Sequence, residues 1–335
     1  MFKLYKIIFF NILIIGTLIS ISSYSWFNMW IGLEINLLSM IPLMKSHNNI
    51  YPAESSLKYF ITQTLASTII LFAVILMLNS FDYTPNKLNY WFMLILNSGL
   101  MTKLGAAPFH AWFPEVLSGL NWLNTLILMT WQKIAPMILI MYNLQIKFLI
   151  FIIIISSIIS GILSFNQMNL RKFMAYSSIN HIAWMLSSML NYKMMWNIYF
   201  MIYTFISMNL IFIFYKMNSF TFNQLFLNLN YNKMMKMFFI FNFMSLGGIP
   251  PFLGFLPKWL VINNLISNNF YSLTFILIFF TLLMLFNYTR ITLSTISILN
   301  DEVQNKYKIS DFLMIFFNST TLLMLLICTS IFNFN

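Results

Sequence analysis

Charge is the scarcest property of this chain. Of its 335 residues only 7% are Asp, Glu, Lys or Arg, where a soluble protein carries about a quarter. Hydrophobic residues make up 60% and the mean hydropathy is +0.81. That balance excludes a soluble domain and implies an all-α polytopic membrane protein, read as a single domain over 1–335. Acid is scarcer than base, 7 Asp and Glu against 18 Lys and Arg, for a net charge of +11. In a soluble chain such an excess points to nucleic acid. Here most of the lysines lie in short loops between apolar runs, so the excess reads as membrane topology and lipid-headgroup contact, and no nucleic-acid partner is expected. Cysteine is nearly absent. Cys328 alone makes no intrachain disulfide and no iron–sulfur cluster. The histidines, His47, His110 and His181, have no metal-ligand spacing. No dinucleotide fingerprint and no phosphate loop occurs, so no metal and no redox cofactor is expected in this chain.

What is present is a succession of apolar runs, each about the 20 residues a spanning helix needs. They fall near 4–22, 26–44, 55–79, 89–118, 121–142, 148–165, 172–190, 195–216, 236–265, 270–297 and 311–333, which predicts about 11 transmembrane helices. The N-terminal run follows lysines as a signal peptide does, but no small-residue cleavage site follows, so it reads as a retained helix. The abundance of Phe and Met, 37 and 26 residues, with Ile and Asn, matches AT-rich codons and an organelle-encoded chain. With eleven spans, the side of the N-terminus holds Lys3, Lys6, Lys45, Arg171, Lys172, Lys216, Lys233, Lys236, Arg290, Lys306 and Lys308, and the opposite side Lys87, Lys147 and Lys193. That asymmetry puts the N-terminus on the cytoplasmic or matrix side and the C-terminus opposite.

Two of the runs carry helix breakers. The first reads Lys103-Leu104-Gly105-Ala106-Ala107-Pro108-Phe109-His110 and continues to Trp112-Phe113-Pro114-Glu115; the second reads Gly247-Gly248-Ile249-Pro250-Pro251 and continues to Gly254-Phe255-Leu256-Pro257-Lys258. Proline removes a helical hydrogen bond and clashes with the preceding turn. In a bilayer the freed backbone groups must find protein or water. Spans one to five and six to ten form two halves, about 4–142 and 148–297, with the broken helix fourth in each and an extra helix at 311–333. Five is odd, so the halves run in opposite directions, an inverted repeat of the kind found in transporters.

The charges left inside the spans are Glu34, Lys103, Lys133 and Lys258. Each costs about 2.5–3.5 kcal/mol at a helix centre, and such residues mark ion or proton paths. Lys58, one turn into the third helix, reaches the interface by snorkelling. Glu34 and Lys103 pair structurally or act as a proton relay, and the two readings are compatible. Lys133 has no acid in its own helix, which favours a functional role. His181, in Ser177-Ser178-Ile179-Asn180-His181, is either a packing residue or a bridge between lysines through water, and His110 beside the first break is a lesser candidate of the same kind. Glu115 reads as an interface residue. The Phe and Met stripes read as packing and lipid-facing surface.

These residues carry a resemblance. Gly32-Leu33-Glu34-Ile35-Asn36, the stretch Glu54 to Gln63, Lys103 to Pro114, Trp131 to Pro136, Ser177 to Trp184 and Leu246 to Trp259 closely resemble the subunit 2 family of mitochondrial NADH dehydrogenase, over about residues 26 to 260. The resemblance implies one of the antiporter-like subunits in the membrane arm of respiratory complex I, in the mitochondrial inner membrane, with the N-terminus in the matrix and the C-terminus on the intermembrane side. It implies proton translocation on Glu34, Lys103, Lys133 and Lys258, coupled to quinone reduction elsewhere. NADH, FMN, iron–sulfur clusters and ubiquinone then belong to partner subunits, and the partners are other membrane-arm subunits and inner-membrane lipids, with cardiolipin a candidate. The wider antiporter-like family has fourteen helices, so three that would precede the first span are missing here. The expected mechanism runs from the matrix half to Lys133, through water and His181, to Lys258, with the Glu34–Lys103 pair setting the affinity of Lys133. A stand-alone cation/proton antiporter would instead transport sodium in liposomes by itself. A structural spacer would lose assembly, and no turnover per assembled complex, on Lys103→Met.

Overall fold

A computed structural model describes residues 4–45, 50–80, 86–230, 233–250, 252–297 and 318–319. The chain folds into helices: α1 Leu4–Ser22, α2 Trp26–Met44, α3 Tyr51–Ser80, α4 Asn86–Leu104, α5 Trp112–Gly119, α6 Trp122–Met129, α7 Trp131–Tyr142, α8 Ile146–Leu163, α9 Leu170–Met189, α10 Lys193–Met217, α11 Phe222–Asn230, α12 Lys233–Gly247, α13 Phe255–Ser267 and α14 Tyr271–Ser297. An apolar chain in lipid has no other way to satisfy its backbone internally, short of a closed barrel. Serine and threonine follow the same logic. Ser39 donates to Asn36 O at 2.8 Å, Ser157 to Ile154 O at 2.8 Å and Thr292 to Thr289 O at 2.9 Å, so these hydroxyls are satisfied by their own helices.

Among the described residues seven stretches are long and apolar enough to cross a membrane: Leu4–Ser22, Trp26–Met44, Tyr51–Asn79, Trp122–Tyr142, Ile146–Asn166, Lys193–Met217 and Tyr271–Ser297. The sequence predicts eleven, and three of the other four are helical without meeting that criterion. The run near 89–118 splits into α4 and α5, and the run near 236–265 into α12 and α13. The run near 172–190 is α9, which carries Arg171, Lys172, Asn180 and His181. Its side chains are buried from Phe173 to Met189 with Tyr176 alone partly open, so protein rather than lipid surrounds it and an apolar exterior is not required. Of the run 311–333 only Asn318 and Ser319 are among the described residues; Cys328, Lys3, His47, Lys306 and Lys308 lie outside them.

The chain divides into two compact units, Met1–Ile152 and Ile153–Asn335, the boundary falling within α8. In the first unit, α1 and α2 pack on one another, and α3 packs against α2, α4 and α5. Leu33, Leu37, Met40, Leu96, Leu100 and Met101 fill its core. In the second, α10 packs on α9, α12 and α13, and α12 packs on α14. Its core is aromatic: the Phe239 and Phe243 rings are 4.6 Å apart, and Phe173 meets Tyr288 at 5.7 Å. Leu18, Leu38, Leu65, Phe72, Phe275 and Phe279 stand on exposed faces, the inside-out pattern suited to lipid.

Candidate functional site

Both breaker segments interrupt their helices, and they do so by one device. α4 ends at Leu104, and Gly105 turns left-handed at φ +71°. The Gly105 amide bonds Thr102 O at 3.2 Å and the Ala106 amide bonds Met101 O at 3.2 Å. α12 ends at Gly247, and Gly248 turns left-handed at φ +79°. The Gly248 amide bonds Ser245 O at 3.0 Å and the Ile249 amide bonds Met244 O at 3.4 Å. Each pair of bonds is a Schellman C-cap, which satisfies two of the terminal carbonyls and calls for a residue without a Cβ. Pro250 follows in the turn and Pro108 in the first loop. Pro251 lies outside the described residues.

In the first unit Lys103 stands in the last turn of α4. It is 8% exposed, and its Nζ is buried without a hydrogen-bond partner. Thr102 O also receives the Trp112 indole N–H at 3.0 Å, and Lys103 O faces Gln63 Nε2 at 3.5 Å. Lys133 is 2% exposed, with Nζ 5.7 Å from the centre of the Phe113 ring, a cation–π distance. It enters from a distortion that the sequence reading missed: α6 stops at Met129, Thr130 is bent to φ −113° and ψ −71°, and α7 starts at Trp131. Pro136 is the available signal, because it cannot bond Gln132 O and crowds that turn. The freed segment is held by Gln132 Nε2 donating to Asn36 Oδ1 at 2.9 Å. Lys103 and Lys133 line one small cavity with Tyr59, Trp112, Phe113 and Gln132. It holds about 10 Å³, close to the roughly 10–15 Å³ that one water needs.

Glu34 is half-buried on α2. Its Oε1 is shielded and has no hydrogen-bond partner, and it lies near enough for its charge to act on Lys103. The two do not make an ion pair, which is the one respect in which the Glu34–Lys103 contact departs from the sequence reading. Lys58 instead forms ion pairs, with Glu54 at 3.0 Å and with Glu115 at 3.1 Å, all three side chains exposed. His110 turns Nδ1 towards Pro108 O at 3.3 Å and does not line the cavity.

In the second unit Lys258 starts from the first turn of α13 and reaches back to the break. It is 8% exposed, and Nζ donates to Leu246 O at 3.1 Å and Gly247 O at 2.7 Å. These are terminal carbonyls that the Schellman turn leaves open. A Cβ on Gly248 would fall 2.8 Å from Lys258 Cδ, so that glycine serves both the turn and the lysine. His181 is 5% exposed on α9. Its Nδ1 lies 3.0 Å from Tyr199 Oη and its ring 4.9 Å from that of Tyr203. The sequence reading singled out neither tyrosine, nor Asn36, Gln63 or Gln132 as site residues. No three His, Cys, Asp or Glu side chains among the described residues come together as a metal site.

The fold of this helical membrane protein has known counterparts. The fold matches a chain of respiratory complex I from Thermus thermophilus with TM-score 0.84 and 18% identity, covering 96% of this chain and 78% of that one. It matches a chain of an archaeal membrane-bound sulfane sulfur reductase with TM-score 0.82 and 16% identity, covering 97% and 73%. A chain of the Mrp complex from Dietzia matches with TM-score 0.71 and 15% identity, covering 84% and 58%. The fold is thus antiporter-like. Residues 23–286 match the family model described as NADH:quinone oxidoreductase/Mrp antiporter, TM. NADH-ubiquinone oxidoreductase chain 2 of Aedes aegypti is 50% identical over 293 residues, and that of Anopheles gambiae 47%, each covering 87% of this chain and 86% of the relative. The mouse protein is 39% identical over 301 residues, covering 86% and 85%. The chain belongs to the NADH-ubiquinone oxidoreductase chain 2 family.

Proposed function

We propose that the chain is a membrane-arm subunit of mitochondrial NADH:ubiquinone oxidoreductase and carries part of its proton-translocation path on Glu34, Lys103, Lys133, His181 and Lys258. The observation that carries this reading is a buried lysine at each left-handed break, in a protein whose relatives bear that enzyme's name. In the first unit a proton passes between Lys103 and Lys133 through the water-sized cavity they share, and the charge of Glu34 biases where it rests. In the second unit Lys258 holds its proton against the open carbonyls of the break and releases it when those contacts loosen. The energy comes from quinone reduction in partner subunits, which hold NADH, FMN, the iron–sulfur clusters and ubiquinone. Inner-membrane lipids complete the surroundings. The placement of Lys and Arg supports eleven spans with the N-terminus in the matrix, and the recurrence of the break supports an inverted repeat of five helices.

Lys133→Ala tests the reading. The assembled complex carrying it is expected to lose most of its proton pumping in reconstituted vesicles, measured by a pH-sensitive dye during NADH oxidation. Undiminished pumping by a fully assembled Lys133→Ala complex would overturn it.

A further inference from the structure

Three buried tyrosines in the second unit have no part in the mechanism above. Tyr199 and Tyr203 on α10 and Tyr288 on α14 are 2%, 3% and 1% exposed. Tyr288 packs against Phe173 and Phe243 in a core that also holds Phe214 and Phe239, and Tyr199 and Tyr203 face the His181 ring. Phenylalanine fills such space without a hydroxyl to satisfy, and a buried hydroxyl costs free energy unless it is paired. Packing alone therefore gives no reason for tyrosine at these positions.

The hydroxyls are arranged around α9. His181 Nδ1 meets Tyr199 Oη at 3.0 Å. Tyr203 Oη is within reach of Ser178 Oγ, and Tyr288 Oη lies beside Ser177 Oγ without completing a full hydrogen bond. Both serines donate their own protons to α9 carbonyls, Ser177 to Met174 O at 2.7 Å and Ser178 to Ala175 O at 2.8 Å. Their oxygens are thereby left to accept from tyrosine. The Tyr288 ring also packs beside the break: its Cδ2 would lie 3.5 Å from a Cβ built on Gly247, the residue whose carbonyl holds Lys258 Nζ.

We propose that Tyr199, Tyr203 and Tyr288 are proton-relay residues joining His181 to Lys258. The inference rests on the proton path of the preceding section and extends it to groups that keep no charge of their own. A proton taken up at His181 Nε2 releases one from Nδ1 to Tyr199 Oη. Each hydroxyl passes its own proton on as it receives one from behind, and the last reaches the Lys258 amine. One proton has moved and every hydroxyl is neutral again; rotation of the hydroxyls, with return of the His181 proton from Nε2 to Nδ1, resets the chain.

The test uses the assembled complex in vesicles with Tyr199→Phe and Tyr288→Phe, singly and together, and Lys258→Met as reference. Each tyrosine variant is expected to keep the ring packing, to slow coupled NADH oxidation and proton pumping about five- to tenfold, and to raise the solvent deuterium isotope effect on turnover. A double variant with full rate, beside a Lys258→Met complex that no longer pumps, would overturn the tyrosine relay and leave the proton path standing. Normal pumping by Lys258→Met would instead overturn the path on which the relay depends. A slower rate with an unchanged isotope effect would show a packing role and would also overturn the relay. Where a phenylalanine variant fails to assemble, Ser177→Ala with Ser178→Ala removes the acceptors without touching a ring. The same slowing and isotope effect are then expected, and a normal rate overturns the proposal.

Discussion

The two breaks end their first helix in the same way and use their lysines in opposite ways. Counted from the left-handed glycine, Gly105 or Gly248, a proline follows at the third and ninth residues, Pro108 and Pro114 or Pro251 and Pro257. A phenylalanine follows at the fourth, Phe109 or Phe252, and a charged residue at the tenth, Glu115 or Lys258. In the first break that charged residue is an acid at the surface, paired with Lys58. The lysine sits instead on the helix before the glycine, where its ammonium has no hydrogen-bond partner. In the second break the tenth residue is the lysine itself, folded back on the carbonyls of the helix it follows. One turn geometry thus supports a loose cation and a tethered one.

The comparison is sharpest when both lysines are removed. Lys103→Met and Lys258→Met each relieve the cost of burying an ammonium, about 2.5–3.5 kcal/mol on insertion scales. Only Lys258→Met also strands two buried carbonyls, at about 1–3 kcal/mol each. Thermal inactivation of the solubilised complex is expected to place Lys258→Met about 2–6 kcal/mol below Lys103→Met. Equal stability would remove the distinction between loose and tethered.

The glycines come next. Alanine at either position costs about 1–2 kcal/mol for the left-handed backbone. Gly248→Ala also pushes a methyl to 2.8 Å from Lys258 Cδ, whereas at Gly105 the nearest atom is Phe113 Cβ at 3.1 Å. The level of assembled complex should fall further for Gly248→Ala than for Gly105→Ala. A smaller effect, about 1 kcal/mol, is expected for Trp112→Phe, which removes the indole donor from Thr102 O in the first break and has no counterpart in the second. Glu115→Gln is expected to change stability by less than about 1 kcal/mol, because its ion pair is exposed. A larger loss in the same melting assay would make that surface part of an interface.

The breaks and the buried lysines were legible because each violates a strong rule. Glycine and proline clustered within a few residues interrupt a helix, and an ammonium does not belong in hydrocarbon. The register of the break was not legible. Gly247 and Gly248 are adjacent, and nothing local says that the first stays helical and the second turns. The distortion at Thr130 left one cue, Pro136, which a spanning helix also tolerates as a kink. Glu34 and Lys103 read as an ion pair because opposite buried charges attract, yet α2 and α4 hold them near one another and unpaired. The tyrosines were invisible for another reason. In a chain with 16 Tyr and 37 Phe, three aromatic positions carry no mark until the hydroxyls are seen around α9.

Lys103→Met is the most direct test of the central claim, that lysines beside the broken helices carry protons, since it removes a cation without breaking a hydrogen bond. Protons pumped per NADH oxidised should be counted for the assembled Lys103→Met complex in sealed vesicles. The account predicts normal assembly with pumping largely lost. Normal assembly with a full proton count would contradict it.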